Sequence, residues 1–200
     1  MTKTVEMIFD FASPNAYLAW HALKGVLART GAQLYVTPAL LGGIFKATNN
    51  RPPFVAFGEV KGKMDYEMLE VRRFIARHDL SAFRMNPHFP INTIAIQRCL
   101  LAAQNLGLQD AFIEMGLKAM WEDGLDLGSA EVLAGVIAAA GFDAEAIHAE
   151  SRSDAVKKAL IGNTEGAVAR GVFGIPTFFV GEEMFFGKER LAQVEELLAA

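Results

Sequence analysis

The stretch Val5-Glu6-Met7-Ile8-Phe9-Asp10-Phe11-Ala12-Ser13-Pro14-Asn15-Ala16-Tyr17 decides the fold. Val5 to Phe11 is an apolar run of strand length, with Glu6 and Asp10 as its polar interruptions, and predicts a buried strand. Ser13 then has the chemistry of a helix N-cap. Pro14 suits the first helical position, because the N–H it lacks would have no partner there. Tyr17, Leu18, Ala22, Leu23, Val26 and Leu27 recur at helical spacing, so a helix is expected from Pro14 to Arg29, ended by Gly31. Gln33 to Thr37 reads as a second strand and closes a β-α-β unit.

The other end of the chain complements this unit. Gly174-Ile175-Pro176-Thr177 opens a third strand, Thr177 to Val180, and Gly181-Glu182-Glu183 turns it into a fourth, Met184 to Phe186. Lys188 to Ala200 has the pattern of a final amphipathic helix. Between Leu40 and Gly171 nearly every periodic segment is helical: Asp65 to His78, Asn92 to Leu106, Asp110 to Asp123, Ser129 to Ala140 and Asp154 to Arg170. Asn49 to Lys63 and Phe83 to Pro90 read as loops from their prolines and other breakers. The order β-α-β, helices, α-β-β-α predicts an α/β protein: a thioredoxin-like fold of the DsbA-like branch with an inserted all-helical subdomain. The chain is expected to form a single domain, its thioredoxin-like parts at about 1–39 and 160–200 and the insertion at about 40–159.

Composition narrows the function. At 200 residues and 52% hydrophobic content the chain can bury a sizeable core. A formal net charge of −4, with basic residues scattered, argues against a nucleic-acid partner and for a small one. The single cysteine, Cys99, allows no intrachain disulfide and no cysteine-based zinc site, which fits a reducing compartment. Met1-Thr2-Lys3-Thr4 leads into the first strand without an apolar signal region. No apolar run reaches the roughly 20 residues of a membrane span, so a cytoplasmic protein without a membrane partner is expected.

In a thioredoxin-like fold the first helix turns its N-terminus, with free amides and a positive dipole end, toward sulfur chemistry. Disulfide-exchanging enzymes carry Cys-x-x-Cys there; this chain reads Ser13-Pro14-Asn15-Ala16, so the protein supplies no thiol at the helix start, which argues against disulfide exchange. The plain reading of Ser13 is a helix cap. Its functional reading is a hydroxyl that donates to the sulfur of a bound thiol while the helix end lowers that thiol's pKa. Ile175-Pro176 lies where such folds keep a cis peptide bond that turns the Ile175 backbone toward the site, and its plain reading is a trans proline opening a strand. Cys99 falls in an apolar-periodic helix and reads as a packed thiol. His21, His78, His88 and His148 lack metal-ligand spacing, and no metal is expected. Arg72, Arg73 and Arg77 read as a solvated face. Trp121 and neighbouring aromatics fit core packing or an aromatic substrate pocket.

Phe9-Asp10-Phe11-Ala12-Ser13-Pro14-Asn15-Ala16-Tyr17-Leu18-Ala19 and Phe173-Gly174-Ile175-Pro176-Thr177-Phe178 resemble the two signatures of 2-hydroxychromene-2-carboxylate isomerases, relatives of kappa-class glutathione transferases. Asn49-Asn50-Arg51-Pro52-Pro53, Lys61-Gly62-Lys63-Met64-Asp65-Tyr66, Asn86-Pro87-His88-Phe89-Pro90-Ile91-Asn92-Thr93 and Gly187-Lys188-Glu189-Arg190 match in order between them. The resemblance implies glutathione as cofactor, a small aromatic substrate and a homodimer. It places Ser13 at the sulfur as the catalytic residue, Asn50 and Lys61 at the glycine end, and Ile175 beside Pro176 against the cysteinyl backbone. Gly187, Lys188 and Glu189 would take the γ-glutamyl end. Relatives often carry Ser or Asn followed by Asp where this chain has Lys188-Glu189, and Ser where it has Ala16. The implied reaction interconverts 2-hydroxychromene-2-carboxylate and trans-o-hydroxybenzylidenepyruvate by thiolate addition, ring opening, bond rotation and thiol expulsion. A kappa-type transferase or peroxidase that consumes glutathione, and a noncatalytic thiol- or peptide-binding module, are the alternative readings.

Overall fold

The computed structural model describes residues 3–200; Met1 and Thr2, part of the N-terminal run read above, lie outside the described residues. β1 (Thr4–Phe9) leads through a turn into α1 (Pro14–Thr30) and β2 (Gln33–Pro38). The helices α2 (Leu41–Thr48), α3 (Pro53–Ala56), α4 (Lys63–Arg77), α5 (Ile94–Asn105), α6 (Gln109–Trp121), α7 (Ala130–Ala139), α8 (Ala144–Ser151) and α9 (Asp154–Ala169) follow. β3 (Thr177–Val180) and β4 (Glu183–Phe186) form a hairpin, and a 3-10 turn at Lys188–Arg190 runs into α10 (Leu191–Ala199).

The sheet order is β2-β1-β3-β4. β1 pairs parallel with β2, Val5 opposite Leu34, and antiparallel with β3, Met7 opposite Phe178. As one of the two inner strands, β1 buries Val5, Met7 and Phe9 on one face and Ile8 on the other, where Glu6 meets Thr37 and Arg170. α1 packs against α10, and α5 gathers α6, α8 and α9 around itself. One apolar core runs from the sheet through α1 into α5, α6 and α7, joining Phe9, Phe11, Leu18, Leu100, Phe112, Leu117, Trp121 and Leu133. No helix among the described residues is long and apolar enough to cross a membrane.

The expected elements form, with physical exceptions. β1 ends at Phe9 because Asp10 and Phe11 turn toward α1. Glu183 belongs to β4, opposite Val180, so Gly181 and Glu182 alone make the hairpin turn. The Asn49 to Lys63 loop contains the single helical turn α3, opened by Pro53 at its first position. α2 and α8 are helices that the periodicity does not predict: α2 opens Leu41-Gly42-Gly43, a poor helical signal, and α8 is short. The Asp143 side chain caps α8 by accepting from the Ala146 amide, a signal that was legible.

Candidate active site

Ser13 caps α1 as its sequence predicts. The residue is extended, its Oγ accepts the Ala16 N–H at 3.2 Å, and its carbonyl accepts the Ala16 and Tyr17 amides. The hydroxyl proton goes elsewhere: Ser13 Oγ donates to the carbonyl of Ile175 at 2.8 Å, in a contact that is 3% exposed at Ser13 and 5% at Ile175. The Ile175–Pro176 peptide bond is cis, as is Phe89–Pro90. The helix start and the proline turn, 162 positions apart in the chain, therefore meet directly. This refines the expectation that both polar groups of Ile175 stand open to a ligand, since the carbonyl is held by Ser13.

The Pro176 carbonyl accepts the Gly187 N–H at 3.0 Å, which brings the 3-10 turn to the site. Gly187 has φ +91° and ψ 157°, a backbone conformation that glycine adopts without the strain a side chain would bring. Lys188 is buried at 4% exposure and paired with the half-exposed Glu189 carboxylate, its ammonium 5.6 Å from the Phe74 ring of α4. Glu189 thus already holds a counter-ion, which no pattern in the sequence indicated. Asn50 Nδ2 donates to the Phe173 carbonyl at 2.8 Å and so reaches the same loop from the end of α2. Lys61 is exposed in the turn before α4, and among the described residues no hydrogen bond joins it to Ser13, Ile175 or the Gly187 turn.

In the sequence Asp10 is only a polar interruption of a strand, and the structure gives it a larger part. It is 1% exposed; Oδ1 accepts the Ala12 N–H at 3.0 Å and the Thr93 hydroxyl at 2.7 Å, and Oδ2 accepts the Leu41 N–H at 2.7 Å. Burial pushes its carboxyl up to about 6 against the downward pull of those three donors. Side-chain donors also hold the surrounding main chain. Gln97 Nε2 donates at 2.7 Å to both the Phe9 and Ala39 carbonyls, and Trp121 Nε1 donates at 3.0 Å to that of Phe11.

Tyr17, one turn after Ser13, is buried and donates to Glu122 Oε1 at 2.9 Å; burial and that carboxylate both push its phenol upward. Its ring meets Phe83 at 5.4 Å, which stacks with Trp121 at 6.0 Å, so Trp121 is a core residue that also holds the turn ahead of Ser13. Cys99 is buried in α5 and burial raises its thiol pKa, as a packed thiol requires. No cluster of His, Cys, Asp or Glu among the described residues is placed to hold a metal.

The sequence and structure have counterparts over their whole length. A 2-hydroxychromene-2-carboxylate isomerase of Sphingobium xenophagum is 29% identical over 99% of this chain and 99% of its own. Human glutathione S-transferase kappa 1 is 25% identical over 99% of this chain and 92% of its own. A crystallographic 2-hydroxychromene-2-carboxylate isomerase superposes with a TM-score of 0.80 at 25% identity, covering 98% of this chain and 94% of the other. The resemblance read from the two signatures thus extends beyond them. A model of the DSBA-like thioredoxin domain matches residues 4–199, taking in the capped helix, the proline turn and all the helices between them, and the chain belongs to that family.

Proposed function

We propose that this protein is a glutathione-dependent isomerase that interconverts 2-hydroxychromene-2-carboxylate and trans-o-hydroxybenzylidenepyruvate in a reducing, cytoplasmic setting. The observation that carries the reading is the Ser13 hydroxyl, held 2.8 Å from the Ile175 carbonyl at the N-terminus of a 17-residue helix with no cysteine beside it. Full-length similarity to enzymes of that name supports the choice of reaction.

The donor set suits glutathione, a tripeptide with two carboxylates, one ammonium and one thiol. The Ser13 hydroxyl and the positive end of α1 favour a thiolate. Ile175 offers its backbone to the cysteinyl residue, Asn50 and Lys61 suit the glycine carboxylate, and Lys188 with Glu189 forms a pair matched in charge to the γ-glutamyl zwitterion. Glutathione, when bound, supplies a nucleophilic sulfur that adds to a conjugated carbon and leaves unchanged after the bond has rotated. Ser13 has one proton to give, so it turns from Ile175 toward sulfur when the thiolate is present. The buried surroundings of Ser13 exclude water and strengthen that bond.

A kappa-type transferase is the second reading, favoured by the 25% identity to the human kappa enzyme over nearly all of the chain. Product analysis separates the two: full recovery of glutathione after many turnovers is expected, and stoichiometric conjugation overturns the isomerase. Ser13→Ala should retain the circular dichroism of the fold and lose about tenfold or more in turnover at neutral pH, the worth of a hydrogen bond to a charged acceptor. Part of that loss should return as pH rises. Unchanged turnover would reduce Ser13 to a helix cap.

A further inference from the structure

The three residues between the end of β1 and Ser13, Asp10 to Ala12, are largely buried, yet they contain a carboxylate with no cation beside it among the described residues. Burying such a charge is costly, and an apolar side chain would pack the same space more cheaply. What the carboxylate provides is acceptors. Its three donors come from three segments: Ala12 in the turn itself, Leu41 at the start of α2, and Thr93 before α5. The Asp10 main chain adds a fourth tie, its carbonyl accepting the Ser13 N–H at 3.2 Å. The amides of Ala12 and Ser13 are therefore both set by Asp10, and Thr93, itself 5% exposed, braces the carboxylate from the helical side.

We propose that Asp10 and Thr93 are positioning residues for the Ser13 hydroxyl, holding the turn in the arrangement that brings Oγ to the Ile175 carbonyl and, on the glutathione reading above, to the cofactor's sulfur. They touch neither sulfur nor substrate and act through Ser13. The carboxyl accepts on both oxygens from all three donors. An asparagine amide would turn a donating Nδ2 toward Leu41 N–H or toward Ala12 and Thr93.

The test compares Thr93→Val, which removes one donor while keeping shape, with Thr93→Ser, which restores it. In the ligand-free protein, Thr93→Val should speed hydrogen exchange at the Ala12 and Ser13 amides by about tenfold relative to the sheet, and Thr93→Ser should return it to the wild-type rate. In the presence of glutathione, ultraviolet titration of the bound thiolate should show a raised thiol pKa and kcat about tenfold lower in Thr93→Val, with KM for the substrate little changed. A lowered melting temperature with unaltered amide exchange, thiol titration and kcat would overturn the proposal and leave the pair a structural brace. Failure of the wild-type protein to bind glutathione would overturn the functional reading instead, and the exchange rates would still decide the positioning.

Discussion

At the scale of single residues, Asp10 gives the molecule a pH dependence of defined sign. Its folded-state carboxyl is raised to about 6 from an ordinary value of 3.8, so the folded protein holds this proton more tightly than the unfolded chain. The contribution to stability is fully present below about pH 4, is lost as pH rises through about 6 and is flat above. The loss is about 3 kcal/mol, each pKa unit being worth about 1.4 kcal/mol. The amides of Ala12 and Leu41 and the hydroxyl of Thr93 are the groups facing the carboxyl, and all are neutral. Asp10→Asn removes the titration, so the stability gap between wild type and variant should be widest near pH 4 and narrow toward pH 7. Urea midpoints across that range measure it, and a gap that widens with pH would show that the three donors outweigh burial. None of this was visible in the sequence, because the donors lie 2, 31 and 83 positions away.

At the scale of elements, α6 lies tight against the turn ahead of α1 at Gly116. A Cβ on Gly116 would overlap the Phe11 ring, with Cζ at 2.9 Å, and lie 3.1 Å from Ile96 Cδ1. Phe11 has no room to yield, standing edge-on to Phe9 at 4.9 Å and near Phe112 at 6.5 Å. Alanine in place of a mid-helix glycine ordinarily gains about 1 kcal/mol, and overpacking costs about 1–3 kcal/mol. Gly116→Ala should therefore be destabilising, and because Phe11 precedes Ser13 by two residues it should also lower turnover. Gly135 on α7 has open space around it, and Gly135→Ala should stabilise by up to about 1 kcal/mol. Chemical denaturation of the pair decides the matter, with equal shifts of one sign as the adverse result. The helices themselves were legible where caps and spacing agreed, as at Ser13, Ser129 and Ser153. α2, opened by Leu40 without a side-chain cap and carrying Gly42 and Gly43 in its first turn, is held by tertiary bonds to Asp10 and Thr164.

At the scale of the whole molecule, one large apolar core spans the sheet and the helices, with a small second cluster of Leu101, Val156 and Leu160 between α5 and α9. The two tryptophans sample it at separate places: Trp20 on α1, donating to Glu114, and Trp121 at the end of α6, donating to Phe11. Single-tryptophan variants, Trp20→Phe and Trp121→Phe, should unfold in guanidinium with fluorescence midpoints that coincide with far-ultraviolet circular dichroism. Separate midpoints for the two probes would mean that the helices between β2 and α9 unfold apart from the sheet.

The sequence by itself determined what depends on neighbours along the chain: the capped helix after β1, the proline turn before β3, the hairpin and the absence of a thiol at the helix start. Those signals lie within a few residues of one another, and their types limit the backbone directly. Resemblance to a family added which residues to watch. Only the tertiary structure decided where the proton of Ser13 goes, that Lys188 is buried against Phe74 with Glu189 as its partner, and that Asp10 gathers three segments around the turn. Hydrogen bonds and burial between residues 31 to 162 positions apart leave no periodicity in the chain, because they arise only when the sheet and the helices close on each other.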